Sequence, residues 1–284
     1  MITRRKFVKN VAVSAAGICA ANTLLSCGGA TERRIENLGY ITGILNRNLE
    51  GGDWQSILQQ TAEMGYTEIE TGRHMGESLP AFRSFLKDIG LKPVAAGIRW
   101  TDDMAEFEKS LDFHNEMDIK LAISYWPYFG GPPFGIENYK LAVELLNQMG
   151  AICKSRGLTL CWHNHDVEFF PMDEGIPFDY IMQNTDEDLV KCQLDIYWVK
   201  KGGADPIETL QKYAGRYPML HIKDMAPGED QDFACPGEGI IDWENVFAEA
   251  YDQGIKHFSV ERDGAEDGLS CLRVSAEHLL ALRF

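Results

Sequence analysis

The chain has 284 residues, 45% of them hydrophobic, 25% charged and 11% aromatic, with a formal net charge of −16. That composition excludes a disordered, collagen-like or polytopic membrane protein, and the length suits a single α/β barrel. The acidic balance repels nucleic-acid backbones, so no nucleic-acid partner is expected.

The first segment is an address. Ile2-Thr3-Arg4-Arg5-Lys6-Phe7 resembles a twin-arginine export signal, and an apolar stretch too short to span a bilayer permanently follows it. The stretch ends in Leu24-Leu25-Ser26-Cys27, which resembles a bacterial lipobox with Cys27 as the lipidated residue. Residues 1–27 are therefore expected to be a signal peptide, 28–36 a polar tether and 37–284 the catalytic domain. The expected location is periplasmic, with membrane contact only through the lipid anchor. The alternative is a cytoplasmic protein with a frayed amphipathic start.

From residue 38 onward, short apolar runs alternate with amphipathic segments, and no linker interrupts them. Strands are predicted at 38–44, 67–70, 93–98, 120–125, 158–163, 190–196, 218–222 and 256–261. Most are continuously apolar, as strands buried on both faces of a parallel sheet must be. Helices are predicted at 53–64, 79–89, 136–156 and 242–253, the first opening on Asp53 and each stopping at a glycine. Asp205-Pro206 opens another helix. Eight such units in about 250 residues is the arithmetic of a (β/α)8 TIM barrel. A doubly wound sheet would call for a GxGxxG motif after its first strand, which is missing.

The seven cysteines show no CxxC or CxxH spacing. Cys153, Cys161 and Cys192 fall in helical or apolar strand patterns, where thiols behave as small hydrophobes. Together with Cys235 and Cys271 they are expected to form no structural disulfide.

Barrel chemistry collects where strands end, and here those ends are polar. The second strand ends at Glu70 and the third runs into Arg99-Trp100. The fourth enters Trp126 and a Gly/Pro-rich loop, and the fifth enters His163-Asn164-His165-Asp166-Val167-Glu168. The sixth gives Asp195-Ile196-Tyr197-Trp198, the seventh His221-Ile222-Lys223-Asp224 and the eighth Glu261-Arg262-Asp263. Singly, an Asp after a strand caps the next helix and a lone His is a hydrogen-bonded structural residue. Together, Glu168, Asp195, His221 and Glu261 make a thiolate-free set suited to a divalent cation such as Mn²⁺, Mg²⁺, Co²⁺ or Zn²⁺. Without a metal, hydrogen bonds and opposite charges would have to satisfy three neighbouring acids.

The segments 163–169, 194–199, 220–224, 237–243 and 260–263 resemble the sugar phosphate isomerase/epimerase-like family of the xylose isomerase-like TIM-barrel superfamily. The resemblance covers essentially all of the chain after the leader. It implies the same four metal ligands, with His163 or His165 as alternatives to Glu168.

The resemblance also implies proton abstraction beside a carbonyl through an ene-diolate stabilised by the metal. Glu168 and Glu261 are the expected ligands and bases, with Lys223 beside the developing oxyanion. His163, His165, Trp126, Trp198, Glu70 and Arg99 are expected to contact a sugar or keto-sugar substrate, the indoles by stacking. The acidic run Glu229-Asp230-Gln231-Asp232 replaces a glycine-rich phosphate cradle, which argues against a phosphorylated substrate. The expected activity is that of an isomerase or epimerase. A lyase acting on an oxidised sugar such as a 3-keto-glycoside is the alternative, and a sugar-binding lipoprotein without activity is a third reading.

Overall fold

The computed structural model describes residues 32–284, so the expected signal peptide, its Cys27 and the start of the tether lie outside the described residues. Arg33 exchanges backbone hydrogen bonds of 2.9 and 3.3 Å with Phe284. Its guanidinium also reaches Asp252 at 2.6 Å, and Ile35 is buried. Residues 33–36, expected to belong to the tether, are thus docked on the C-terminal end of the domain.

Eight parallel strands close into a barrel: β1 (Gly39–Ile41), β2 (Glu68–Glu70), β3 (Lys92–Gly97), β4 (Leu121–Ser124), β5 (Thr159–His163), β6 (Val190–Asp195), β7 (Met219–Ile222) and β10 (His257–Val260). The order around the barrel is β1-β10-β7-β6-β5-β4-β3-β2, the (β/α)8 arrangement. Between β7 and β10, the short β8 (Asp224–Met225) and β9 (Phe233–Ala234) form an antiparallel hairpin whose turn carries the acidic run.

Each strand falls within or overlaps its predicted run, but β1 is shorter than expected. Thr42–Leu45 turns into a 3-10 helix that still buries Ile44 and Leu45. A continuous apolar run cannot separate a buried strand from a buried turn. The helices start where capping chemistry indicated: Asp53 accepts from Ser56 N–H, and Asp205 accepts from Ile207 and Glu208 N–H, with Pro206 opening the helix.

The cysteine expectation needs correction. Cys235, just after β9, is bonded to Cys271 on the last helix, with Cα atoms 5.4 Å apart. The loop after β7 folds back over the helix that follows β10, a neighbourhood set by barrel closure and invisible in local spacing. Cys153, Cys161 and Cys192 are free and buried.

Candidate metal centre and active site

Strand register does most of the positioning. Across β5, β6 and β7, His163 pairs with Gln193 and Asp195 with His221. The alternating pleat sends Gln193 and Asp195, like His221 and Lys223, to the same face. Glu261 follows β10 at once, its N–H donating to Ile222 O at 3.1 Å.

Asp195 serves two purposes. Its Oδ1 accepts from Trp198 N–H at 3.0 Å and caps the helix Ile196–Lys201. Its buried Oδ2 accepts no hydrogen bond, the nearest cation, Lys223 Nζ, standing 3.3 Å off. Asn164 fixes the backbone here, accepting from Asp195 N–H at 2.8 Å and donating to its carbonyl at 3.3 Å.

Three further side chains gather with Asp195 around this orphaned oxygen. One ligand atom from each of His163, Asp195, His221 and Glu261 lies within 4.8 Å of all the others. His163 Nε2 and His221 Nδ1 are 3.8 and 3.9 Å from Asp195 Oδ2. His221 Nδ1 is 2.9 Å from Glu261 Oε2. Two imidazoles, two carboxylates and an unsatisfied buried oxygen suit a divalent cation.

The group differs from the expected set in one member. Glu168 is fully buried but turned away: Oε1 accepts from Tyr128 Oη at 2.6 Å and Oε2 from His165 N–H at 2.7 Å. His163, at the end of β5, stands in its place. Burial lifts the Glu168 carboxyl to about 7 against the pull of these hydrogen bonds.

Lys223 is buried and touches three carboxylates, Asp195 at 3.3 Å, Glu261 at 2.9 Å and Asp263 at 2.8 Å. Its ammonium also lies 5.1 Å from the Trp198 ring centroid. Burial opposes its charge, but the three acids outweigh that and hold it cationic. Burial also pushes Asp195 upward. Burial would do the same to Glu261, but Lys223 and His221 overcome it and keep that carboxylate ionised.

The other expected contacts divide. His165 sits between Trp126 and Trp198, ring centroids 5.0 and 5.4 Å away, and 5.0 Å from His163. Burial, with Lys223 nearby, pushes it down to about 4, so it is neutral at pH 7. Arg99 points outward to Glu106 at 2.7 Å with its side chain 70% exposed, and it takes no part in the site. Glu70 is fully buried behind the histidines rather than lining an opening.

Asp224, named at the end of the seventh strand without a role, holds a loop of the protein together. Its carboxylate accepts from the N–H groups of Met225, Gly237, Gly239 and Ile241 and from Trp243 Nε1. It thereby pins the 237–243 motif. A side chain at Gly239 would put Cβ 2.1 Å from Asp224 Oδ1. A cavity of about 860 Å³ lined by Leu79, Arg83, Lys87 and Lys92 lies at the strand-start end of β3, away from this chemistry.

Comparison with known proteins identifies the family and the fold. A family model described as xylose isomerase-like TIM barrel matches residues 58–274. An inosose dehydratase of Clostridium perfringens is 32% identical over 232 residues, covering 68% of this chain and 76% of the relative. A crystal structure of a sugar phosphate isomerase/epimerase from Parabacteroides distasonis superposes with a TM-score of 0.71 at 25% identity, covering 93% of this chain and 98% of that one. The IOLI protein, whose crystal structure contains zinc, superposes with a TM-score of 0.66 at 18% identity over 85% of this chain and 96% of its own, a likeness of fold.

Proposed function

Because the chain belongs to the xylose isomerase-like TIM-barrel family, we propose that it is a divalent-metal-dependent enzyme that removes a proton from the carbon beside a sugar carbonyl. The observation that carries this reading is the convergence of His163, Asp195, His221 and Glu261 around an oxygen without a donor. Two imidazoles favour Mn²⁺, Co²⁺ or Zn²⁺ over Mg²⁺. When bound, the ion supplies Lewis acidity that makes the neighbouring C–H more acidic.

The remaining work falls to the chain's own groups. Glu261 is kept ionised and takes the proton. Lys223 faces the same carboxylate and donates to negative charge developing on the substrate oxygen. Neutral His165, held between two indoles, meets a sugar hydroxyl.

Elimination is the favoured outcome. The C–H electron pair forms a new C=C bond, the C–O bond to the β-hydroxyl breaks, and the hydroxyl leaves as water after taking a proton. The similarity to inosose dehydratases supports this course. Isomerisation or epimerisation is the second reading, supported by the Parabacteroides distasonis neighbour. Lys223 is already engaged by three acids and Arg99 by Glu106, which supports an uncharged sugar or keto-sugar over a phosphorylated one.

The test loads the purified protein with Mn²⁺, Co²⁺ or Zn²⁺ and incubates it in D₂O with a panel of inososes, keto-sugars and keto-glycosides. Deuterium entering a substrate carbon supports proton abstraction, and loss of one water by mass spectrometry supports the dehydratase outcome. Absence of both across the panel would overturn the reading.

Export and lipid anchoring through Cys27 belong to the same proposal. A Cys235–Cys271 bridge supports an oxidising compartment. Among the described residues no helix is long and apolar enough to cross a membrane, and one acyl chain anchors only marginally, so several would be needed. A Cys27→Ser variant that stays equally membrane-bound would overturn the anchor.

A further inference from the structure

One buried carboxylate, on the far side of the barrel from the proposed ligands, touches one histidine of the group and reaches the other through a single side chain. Glu70 ends β2, and its oxygens receive three donors: Tyr125 Oη, Gln193 Nε2 at 3.1 and 3.2 Å, and His221 Nε2 at 2.8 Å. It is 1% exposed, so these donors take the place of water.

The contacts fix hydrogen positions by elimination. A carboxylate accepts, so the Gln193 atom facing Glu70 must be the NH₂ group. That leaves Gln193 Oε1 toward His163 Nδ1, 3.0 Å away, and an amide oxygen can only accept. His163 therefore carries its hydrogen on Nδ1, and its Nε2 turns a lone pair toward Asp195 Oδ2. On the other side, His221 gives its Nε2 hydrogen directly to Glu70, and its Nδ1 stands 2.9 Å from the Glu261 carboxylate, which also accepts. Without a metal both nitrogens carry hydrogen, and with Nε2 held by Glu70 it is the Nδ1 hydrogen that a cation would displace.

We propose that Glu70 is a shared positioning residue for both histidines: it holds the Nε2 hydrogen of His221 directly and sets the tautomer of His163 through the Gln193 amide. The inference rests on the metal-centre reading for its purpose. His163 thereby offers Nε2, and His221, held at Nε2 by the same carboxylate, offers Nδ1 once the hydrogen there is displaced. Glu70 and Gln193 are not among the grouped ligand atoms and act, in this proposal, only through the two histidines. Partners of this kind raise ligand basicity and fix ring orientation, and their loss typically weakens metal affinity 10–100-fold.

The test has a part that needs no metal. Long-range ¹H–¹⁵N spectra of the metal-free protein, with His163 assigned through a His163→Gln variant, read the tautomer of His163 and the double protonation of His221. Wild type is expected to show His163 with its hydrogen on Nδ1. Gln193→Leu removes the relay and is expected to move His163 toward a mixture or the Nε2–H form, while His221 keeps its signature. Glu70→Gln is expected to disturb both rings, because the Gln193 amide can then reverse.

Equilibrium dialysis with Zn²⁺ or Mn²⁺ gives the second reading. A 10–100-fold weaker affinity is expected for Glu70→Gln, and a smaller loss for Gln193→Leu. His163 found in the Nε2–H form in wild type, or tautomers unmoved in both variants, would overturn the relay. Wild type that binds no divalent ion but shows the expected tautomers would overturn the metal reading alone.

Discussion

Tyr128 Oη donates to Glu168 Oε1 at 2.6 Å, with both residues buried. This bond, with the one from His165 N–H, binds the loop after β4 to the loop after β5 and removes Glu168 from the proposed ligands. It also has a thermodynamic consequence. The folded carboxyl is lifted by burial to about 7, above its unfolded value of about 4.3. Between those values the folded chain keeps a proton that the unfolded chain has released. Stability from this group is therefore full below about pH 4 and falls as pH rises to about 7, by roughly 3 kcal/mol as an order of magnitude. Glu168→Gln, which cannot ionise, should unfold at a higher temperature than wild type at pH 8, and the gap should shrink or reverse at pH 5. Thermal melts at the two pH values check this, and a gap independent of pH would contradict it.

The exchange of Glu168 for His163 can be decided by metal content. His163→Ala, Asp195→Ala and His221→Ala are each expected to lose most bound metal while keeping the barrel's circular dichroism. Glu168→Gln should retain near-stoichiometric metal. Elemental analysis after dialysis separates the cases, and a metal-free Glu168→Gln beside a loaded His163→Ala would restore the original assignment.

Asp224 gathers five donors on one buried carboxylate. Each buried donor left unpaired costs roughly 1–3 kcal/mol, so Asp224→Ala should lose several kcal/mol. Gly239→Ala should lose stability too, because its Cβ would meet Asp224 Oδ1 at 2.1 Å and Met225 O at 2.5 Å. Denaturant titration measures both. A surface-like change below about 0.5 kcal/mol in either would contradict the pinning role.

The Cys235–Cys271 bridge closes a loop with a sequence separation of 36 residues. Loop-closure entropy assigns about 4 kcal/mol to such a loop. A Cys235→Ser/Cys271→Ser double variant should melt several degrees lower than wild type, and wild type in strong reductant should match it. Cys153, Cys161 and Cys192 are buried and free, so they should react with a thiol reagent only after unfolding.

Legibility in the sequence followed the range of the interactions. The eight strands could be read because most bury both faces and are nearly continuously apolar. Asp195, His221 and Glu261 could be read because they follow such runs directly. His163 was named as a substrate contact and as an alternative to Glu168 in the metal shell, since nothing local distinguishes a histidine that ends a strand from a glutamate five residues later. Strand register decides between them: His163 lies opposite Gln193, two residues before Asp195. Glu70 was visible as a strand end, but its burial behind β6 and β7 follows only from barrel closure. Arg99 looked inward by position and turned outward because Glu106, on the next helix, offered it a partner. The disulfide and Asp224's loop contacts span 36 and 13–19 residues, beyond any local motif.

The last expectation concerns the base. Glu261 Oε2 is 2.9 Å from both His221 Nδ1 and Lys223 Nζ, so the carboxylate is ionised and oriented from two sides. Its side chain is 16% exposed, more than those of Asp195, His221 and Lys223 at 0–2%. It is therefore the member of the group that a substrate entering from the strand ends can reach. Glu261→Gln preserves shape but removes the charge and the basicity, and a positioned base contributes about 10²–10⁴-fold. Turnover and solvent-deuterium exchange should fall together by at least about 10²-fold. Metal content, measured on the same sample, separates a lost base from a lost ligand. Exchange that survives while turnover is lost would place Glu261 after deprotonation and direct the search for the base to His165. Wild-type rates of both would show that the proton leaves by another route.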